Sequence, residues 1–230
     1  YQYALSMVEC SAKILDCAEE DATEELRVSF QPSSWFASAF CEYYIQESAG
    51  EKYNIISAPA EEIIRRIIAS QDQLGFAYFE DAQLGKLAKI FPENHIGYYT
   101  LKKTKTVLYC RNKENHKNRN EICLVQGVED YYSGISLWKE QKESDEEKRR
   151  LQVKVTTNSD YIMQAMLQKT DLGNISPNCL SHNENSISHD TMQLENQEQS
   201  VQFVCLFRND QKMEKLPKKF LTFIKDYIEE

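Results

Sequence analysis

Three places in the sequence bring hydroxyl and small polar side chains to a point where a strand pattern gives way to a helix pattern. The first is Pro32, Ser33 and Ser34, followed by Trp35, within LRVSFQPSSWFASAFCEYYIQ (residues 26–46). The second is Ser57 and Ala58, between YNIIS and a helix pattern containing EEIIRRII. The third is Thr156, Thr157 and Asn158, between LQVKV and DYIMQAML. Serine and threonine suit such turns because their oxygens accept from N–H groups that the first helical turn leaves free. The same free N–H groups, with the helix dipole behind them, hold carboxylates and similar anions. The chemistry indicated is therefore binding, with hydroxyl and backbone donors gripping a small anion without a buried counter-charge. Trp35 adds an apolar wall beside the first turn, as ligand pockets combine apolar lining with few polar anchors.

Residues for covalent or metal chemistry are not arranged for it. His95, His116, His182 and His189 fall in loop or polar patterns, and none accompanies a serine or cysteine in a nucleophile motif. No P-loop or GxGxxG is present. The seven cysteines are odd in number and scattered, with no CxxC pair. Cys10, Cys41 and Cys205 sit in apolar runs and read as small, reduced core residues. No catalytic residue, metal ligand or cofactor is expected, and the chain is not expected to be an enzyme. Acids outnumber bases by 36 to 27, a net charge of −9, which argues against this segment gripping nucleic acid. No apolar run reaches the ~18–20 residues of a membrane span, and the first turn is not basic. The expectation is a cytoplasmic chain with no membrane partner, cut from something longer.

The elements that must position these turns alternate as in a parallel-sheet α/β protein. A first helix is expected over residues 1–20, with Leu5, Val8, Ala12 and Leu15 on one stripe. Strands follow over 26–30, 53–57 and 74–79, with helices over 35–47, from Pro59 and after Asp81. Residues 96–112 are extended and suggest two strands, and 121–125 a further one. Residues 130–150 read as a helix with a solvated charged end, and 173–199 as a polar segment hiding a weak strand near 191–194. A strand over 201–207 and an amphipathic helix over 217–228, turning Phe220, Phe223, Ile224 and Tyr227 inward, close the chain.

This order resembles the effector-binding (regulatory) domain of LysR-type transcriptional regulators, which have the type 2 periplasmic-binding-protein fold. Four stretches carry the likeness: YQYALSMVECSAKILDCAEE before LRVSF, SAPAEEIIRRIIASQDQLGFAYF, VTTNSDYIMQAML, and VQFVCLFRND with LPKKFLTFIKDYIEE. Gln73 stands where the family usually carries an aspartate before the buried strand. The resemblance implies an α/β fold of two Rossmann-like lobes joined by a two-strand hinge and preceded by a linker helix over residues 1–22. Lobe I would take residues 23–100 plus 204–230, and lobe II residues 101–203, with crossings near 99–104 and 198–203. A small-molecule effector would sit between the lobes, on the nine residues named above. A homodimer or tetramer would form, its surface involving the helix over 35–47 and part of 130–138. DNA would be reached only through an N-terminal domain absent from this chain. A transport-type solute-binding protein of the same fold is the alternative.

Overall fold

The computed structural model describes residues 24–47, 50–117, 119–127, 150–178, 190–193 and 199–229. The helix expected over 1–20 lies outside them, as does the one expected over 130–150 except for Arg150, which begins a strand. In chain order the first lobe holds β1 (Glu25–Phe30), α1 (Ser34–Glu47), β2 (Lys52–Ser57), α2 (Ala60–Ile68), β3 (Leu74–Glu80) and α3 (Asp81–Ile90). A long strand, β4 (Ile96–Cys110), leads into α4 (Glu114–Lys117), β5 (Glu121–Gly127), β6 (Arg150–Thr157), α5 (Asp160–Lys169), β7 (Asn174–Pro177) and β8 (Asp190–Met192). The chain returns through β9 (Ser200–Arg208) and ends in α6 (Lys215–Glu229).

In the first lobe β1 lies between β2 and β3, parallel to both. Its alternation sends Leu26 and Val28 into the core, while β3 is apolar along nearly its whole length because helices cover both faces. On one face Phe36, Tyr43, Phe76, Phe203 and Phe220 form an aromatic core with α1 and α6; on the other Ile63, Ile67, Phe79 and Leu84 pack α2 and α3 against the sheet. Gly75 permits that second approach, since a Cβ there would stand 2.5 Å from Ile63 Cγ2. Asp72, with its side chain fully buried, pairs twice with Arg66, at 2.6 and 2.8 Å. Gln73 extends the β1–β3 pairing, its amide oxygen accepting from the Arg27 N–H at 2.9 Å.

Several local expectations change. Residues 96–110 form one strand rather than two, with a register shift between Thr100 and Lys102. Its first part pairs with β9 and its last residues with β7 and β8. β7 itself, NISP, lies in the segment read as largely polar loop. The helix expected after Asp81 includes it as the first residue of α3, and its carboxylate accepts from Gln202 Nε2 at 2.6 Å. Hydrogen bonds from Gln202 and Ser200 hold that carboxyl below its usual range. Cys41 is exposed on α1, whereas Cys110 and Cys205 are buried; all three are free thiols. Burial pushes the Cys110 thiol up to about 11 and the Cys205 thiol further still, so neither ionises at neutral pH.

Candidate functional site

Strand directions locate the candidate site. In the first lobe Phe30 pairs with Ser57 and with Phe76, so the carboxyl ends of β1 and β2 are level and point the same way as β3. The last residue of β3, Glu80, pairs with Val201 at the start of β9, and Thr104 of β4 pairs with that same Val201. The carboxyl edge of lobe I is therefore the side on which the chain crosses into lobe II. Within lobe II, β7 runs antiparallel to β4, with Asn174 opposite Tyr109 and Pro177 opposite Thr106, so β7 points back toward the crossing. A parallel bridge joins Leu124 to Gly173, and β5 is parallel to β6, with Gly127 opposite Thr157. The carboxyl ends of β5 and β6 consequently also point toward the crossing. In open α/β sheets the crevice beyond the strand carboxyl ends is where ligands bind.

The sequence-selected residues occupy these ends. Ser33 caps α1, its Oγ accepting from the Phe36 N–H at 3.4 Å, and Pro32 is half-buried ahead of it. Ser34 is the first residue of α1. Ala58 is buried and donates its N–H to Phe30 O at 2.9 Å, which ties the first two turns side by side; Ser57 is exposed. On the lobe II side Thr156 and Asn158 are exposed and Thr157 is nearly buried, its Oγ1 accepting from the Ser159 N–H at 3.0 Å. Ser159, not a threonine, caps α5 by accepting from the Ile162 N–H at 3.3 Å. Trp35 is only 6% exposed; Phe203 meets it edge-on at 5.6 Å and Tyr227 lies 5.7 Å away. Its indole belongs to the aromatic core, where it anchors the first turn.

The same edges hold polar side chains that a search for hydroxyls does not select. Gln31 directly follows β1, is 3% exposed, and bridges to β3 by accepting from the Tyr78 N–H at 2.5 Å. Its Nε2 is buried and has no hydrogen-bond partner among the described residues, like Glu80 Oε1 at the end of β3 and Gln199 Oε1 just before β9. Burial pushes the Glu80 carboxyl up. In lobe II Gln126 holds the end of β5 to β7: its Nε2 donates to Ile175 O at 2.8 Å, and its Oε1 accepts from the Ile175 N–H at 3.0 Å and from Asn174 Nδ2 at 3.0 Å. Asn174 Nδ2 also donates to Val125 O at 3.0 Å. The available signal for these residues was a glutamine or glutamate immediately next to an apolar strand. Among the described residues no group of three or more His, Cys, Asp or Glu is placed to hold a metal ion, and no helix is long and apolar enough to cross a membrane.

No protein-family model matches the chain, and no curated protein matches it in sequence. Solved structures match it in fold. The bromide-bound regulatory domain of HypT from Salmonella typhimurium superposes with a TM-score of 0.64 at 8% identity, covering 90% of this chain and 96% of that one. Full-length HypT, a hypochlorite-specific LysR-type transcriptional regulator from the same organism, superposes at 0.59 and 10% identity, over 99% of this chain and 75% of its own. Full-length CbnR in complex with its target DNA gives 0.55 at 10% identity, over 98% and 77% of the two chains. The fold is that of LysR-type regulatory domains, a mixed α/β architecture of the type 2 periplasmic-binding kind, as the order of elements in the sequence implies.

Proposed function

We infer that a chain of this architecture is the small-molecule-sensing domain of a LysR-type transcriptional regulator, acting in the cytoplasm without catalysis. The observation that carries the reading is the opposition of strand ends: β1, β2 and β3 from one lobe, and β5 and β6 from the other, all aim at the crossing. The effector is a small anion, held by Ser33, Ser34, Ser57 and Ala58 on one side and Thr156, Thr157 and Asn158 on the other, with Pro32 and Trp35 fixing the first turn. Free helix N–H groups favour such a charge, and the HypT regulatory domain of the same fold holds a bromide ion. Effector binding shifts the balance between two inter-lobe arrangements by its difference in affinity for them. DNA is reached through a domain outside this chain, as full-length CbnR is seen with its target DNA.

The test is a set of thermal melts of the chain with short mono- and dicarboxylates. At least one is expected to raise Tm, since a ligand at a hundred times its Kd stabilises a fold by roughly 2.7 kcal/mol. Asn158→Trp, at an exposed position on the lobe II turn, should abolish that rise without altering the unliganded melt. A rise that survives this variant places binding elsewhere, and consumption of the ligand would mark an enzyme instead.

Association is part of the same reading. Tyr44 and Ile45 on α1 are 53% and 81% exposed, and Tyr161 and Ile162 on α5 are 83% and 46% exposed. Two apolar surfaces on different lobes suit an antiparallel dimer in which α1 of one copy meets α5 of the other. The expected lobe II contribution from residues 130–138 lies outside the described residues. Light scattering should give a dimer for the native chain and a monomer for Ile45→Glu. A native chain that stays monomeric when concentrated favours the solute-binding alternative.

A further inference from the structure

The three unpartnered polar atoms at the crossing edge, Gln31 Nε2, Glu80 Oε1 and Gln199 Oε1, are one donor and two acceptors. The sense of the Gln31 amide is fixed: its Oε1 takes the Tyr78 N–H, which leaves Nε2 as the open end. Gln31, 3% exposed, stands between the carboxyl end of β1 and the turn of Ser33 and Ser34. Glu80 ends β3. Gln199 stands just before β9 and is tied to β4, its carbonyl accepting from the Thr106 N–H at 2.9 Å.

The ladder turns Glu80 to the side on which α1 begins. Tyr78 lies opposite Phe203 and Glu80 opposite Val201, and partners across a ladder share a face. The Tyr78 and Phe203 rings are 4.7 Å apart, and Trp35 of α1 meets Phe203 edge-on. Glu80 follows Tyr78 on this face by two residues, about 7 Å nearer the crossing. Gln31 reaches β3 at Tyr78, so its open donor and the Glu80 carboxyl are about one such step apart along the sheet. The neighbouring carboxylate, Asp81, is already engaged by Gln202. Burial is what pushes the Glu80 carboxyl up, and no cation among the described residues offsets it. A buried carboxylate oxygen is costly until a donor or an opposite charge meets it, and an ammonium supplies both.

We propose that the effector is an α-amino acid, its carboxylate taken by Gln31 Nε2 with the helix starts and its ammonium by Glu80 and Gln199. The inference rests on the inter-lobe effector reading and narrows its anionic group to the carboxylate of an amino acid. A carboxylate and an ammonium on neighbouring atoms, each with a hydrogen bond of ~2.9 Å, span a gap of this size. The probes are two pairs titrated calorimetrically into the full chain: L-aspartate with succinate, and L-leucine with 4-methylpentanoate. The second member of each pair is the first without its amino group. In at least one pair the amino acid should bind saturably and about tenfold or more tighter than its partner. Glu80→Gln keeps the shape and an acceptor but removes the charge, and should bring the two members to within about threefold. Gln31→Glu keeps the acceptor for the Tyr78 N–H but removes the donor, and should weaken both members; unliganded melts check that each variant folds. The proposal is overturned if neither amino acid binds, if the partner without the amino group binds as well, or if Glu80→Gln leaves the preference intact. Carboxylates that bind without an amine preference and are lost in Asn158→Trp overturn it while the effector reading stands. Amino-acid binding that survives Asn158→Trp overturns the inter-lobe reading itself, and this inference with it.

Discussion

Phe220→Ala is expected to destabilise the chain by about 3–5 kcal/mol, the range for emptying a buried aromatic position. Phe220 is fully buried, and its ring lies 4.9 Å from Tyr43, 6.0 Å from Phe76, 6.1 Å from Phe36 and 6.2 Å from Phe40. These rings come from α1 and β3, so Phe220 is where α6 joins the first lobe. Neighbouring rings have fixed edge-to-face geometries and cannot close the gap without giving them up. Urea unfolding followed by the fluorescence of Trp35, which touches the same core, measures the effect. Phe223→Ala, at a half-buried ring on the same helix, should cost distinctly less. Equal losses at the two positions would mean that α6 is held by surface burial in general and not by this cluster.

Gln126→Met is the second large expected effect, roughly 3 kcal/mol, and here shape is nearly preserved while chemistry is removed. The side chain is 1% exposed and connects β5 to β7 through the Ile175 N–H, the Ile175 carbonyl and the Asn174 amide. Methionine would leave these groups buried with fewer partners, at about 1–3 kcal/mol for each one orphaned. The loss should appear as faster hydrogen exchange at Ile175 with little change at the lobe I core. Gln126→Glu should rescue less than half of it, since a carboxylate can accept but cannot donate to the Ile175 carbonyl. Because Gly127 and Thr157 lie at the same strand ends, any ligand response at the crossing should weaken in Gln126→Met as well.

The first lobe was largely readable from the sequence because its signals are local. Leu26, Val28 and Phe30 alternate, Gly50 takes a positive φ of 104° between α1 and β2, and the apolar stripe of α6 recurs at helical spacing. Lobe II was less readable for reasons that are equally physical. NISP becomes a strand through Gln126 and β4, partners distant in sequence. The number of strands over residues 96–110 depended on whether a break or a bulge falls near Leu101, a choice made by pairing with β9. At the candidate site, residue type pointed to the turns but not to how each oxygen is engaged. Thr157 spends its hydroxyl on the Ser159 N–H, leaving the cap to Ser159, and Trp35 faces inward. Gln31, Glu80 and Gln199 became visible only when neighbouring strands had buried their polar atoms.

β4 and β9 have a mechanical consequence. Both β1 and α6 belong to lobe I, so lobe II is an excursion that leaves by one strand and comes home by another. Anything fused ahead of β1 or behind α6 is covalently attached to lobe I alone. In the sensing role proposed above, a swing of lobe II would reach such an attachment only through these two strands, whose pairing shifts register between Thr100 and Lys102.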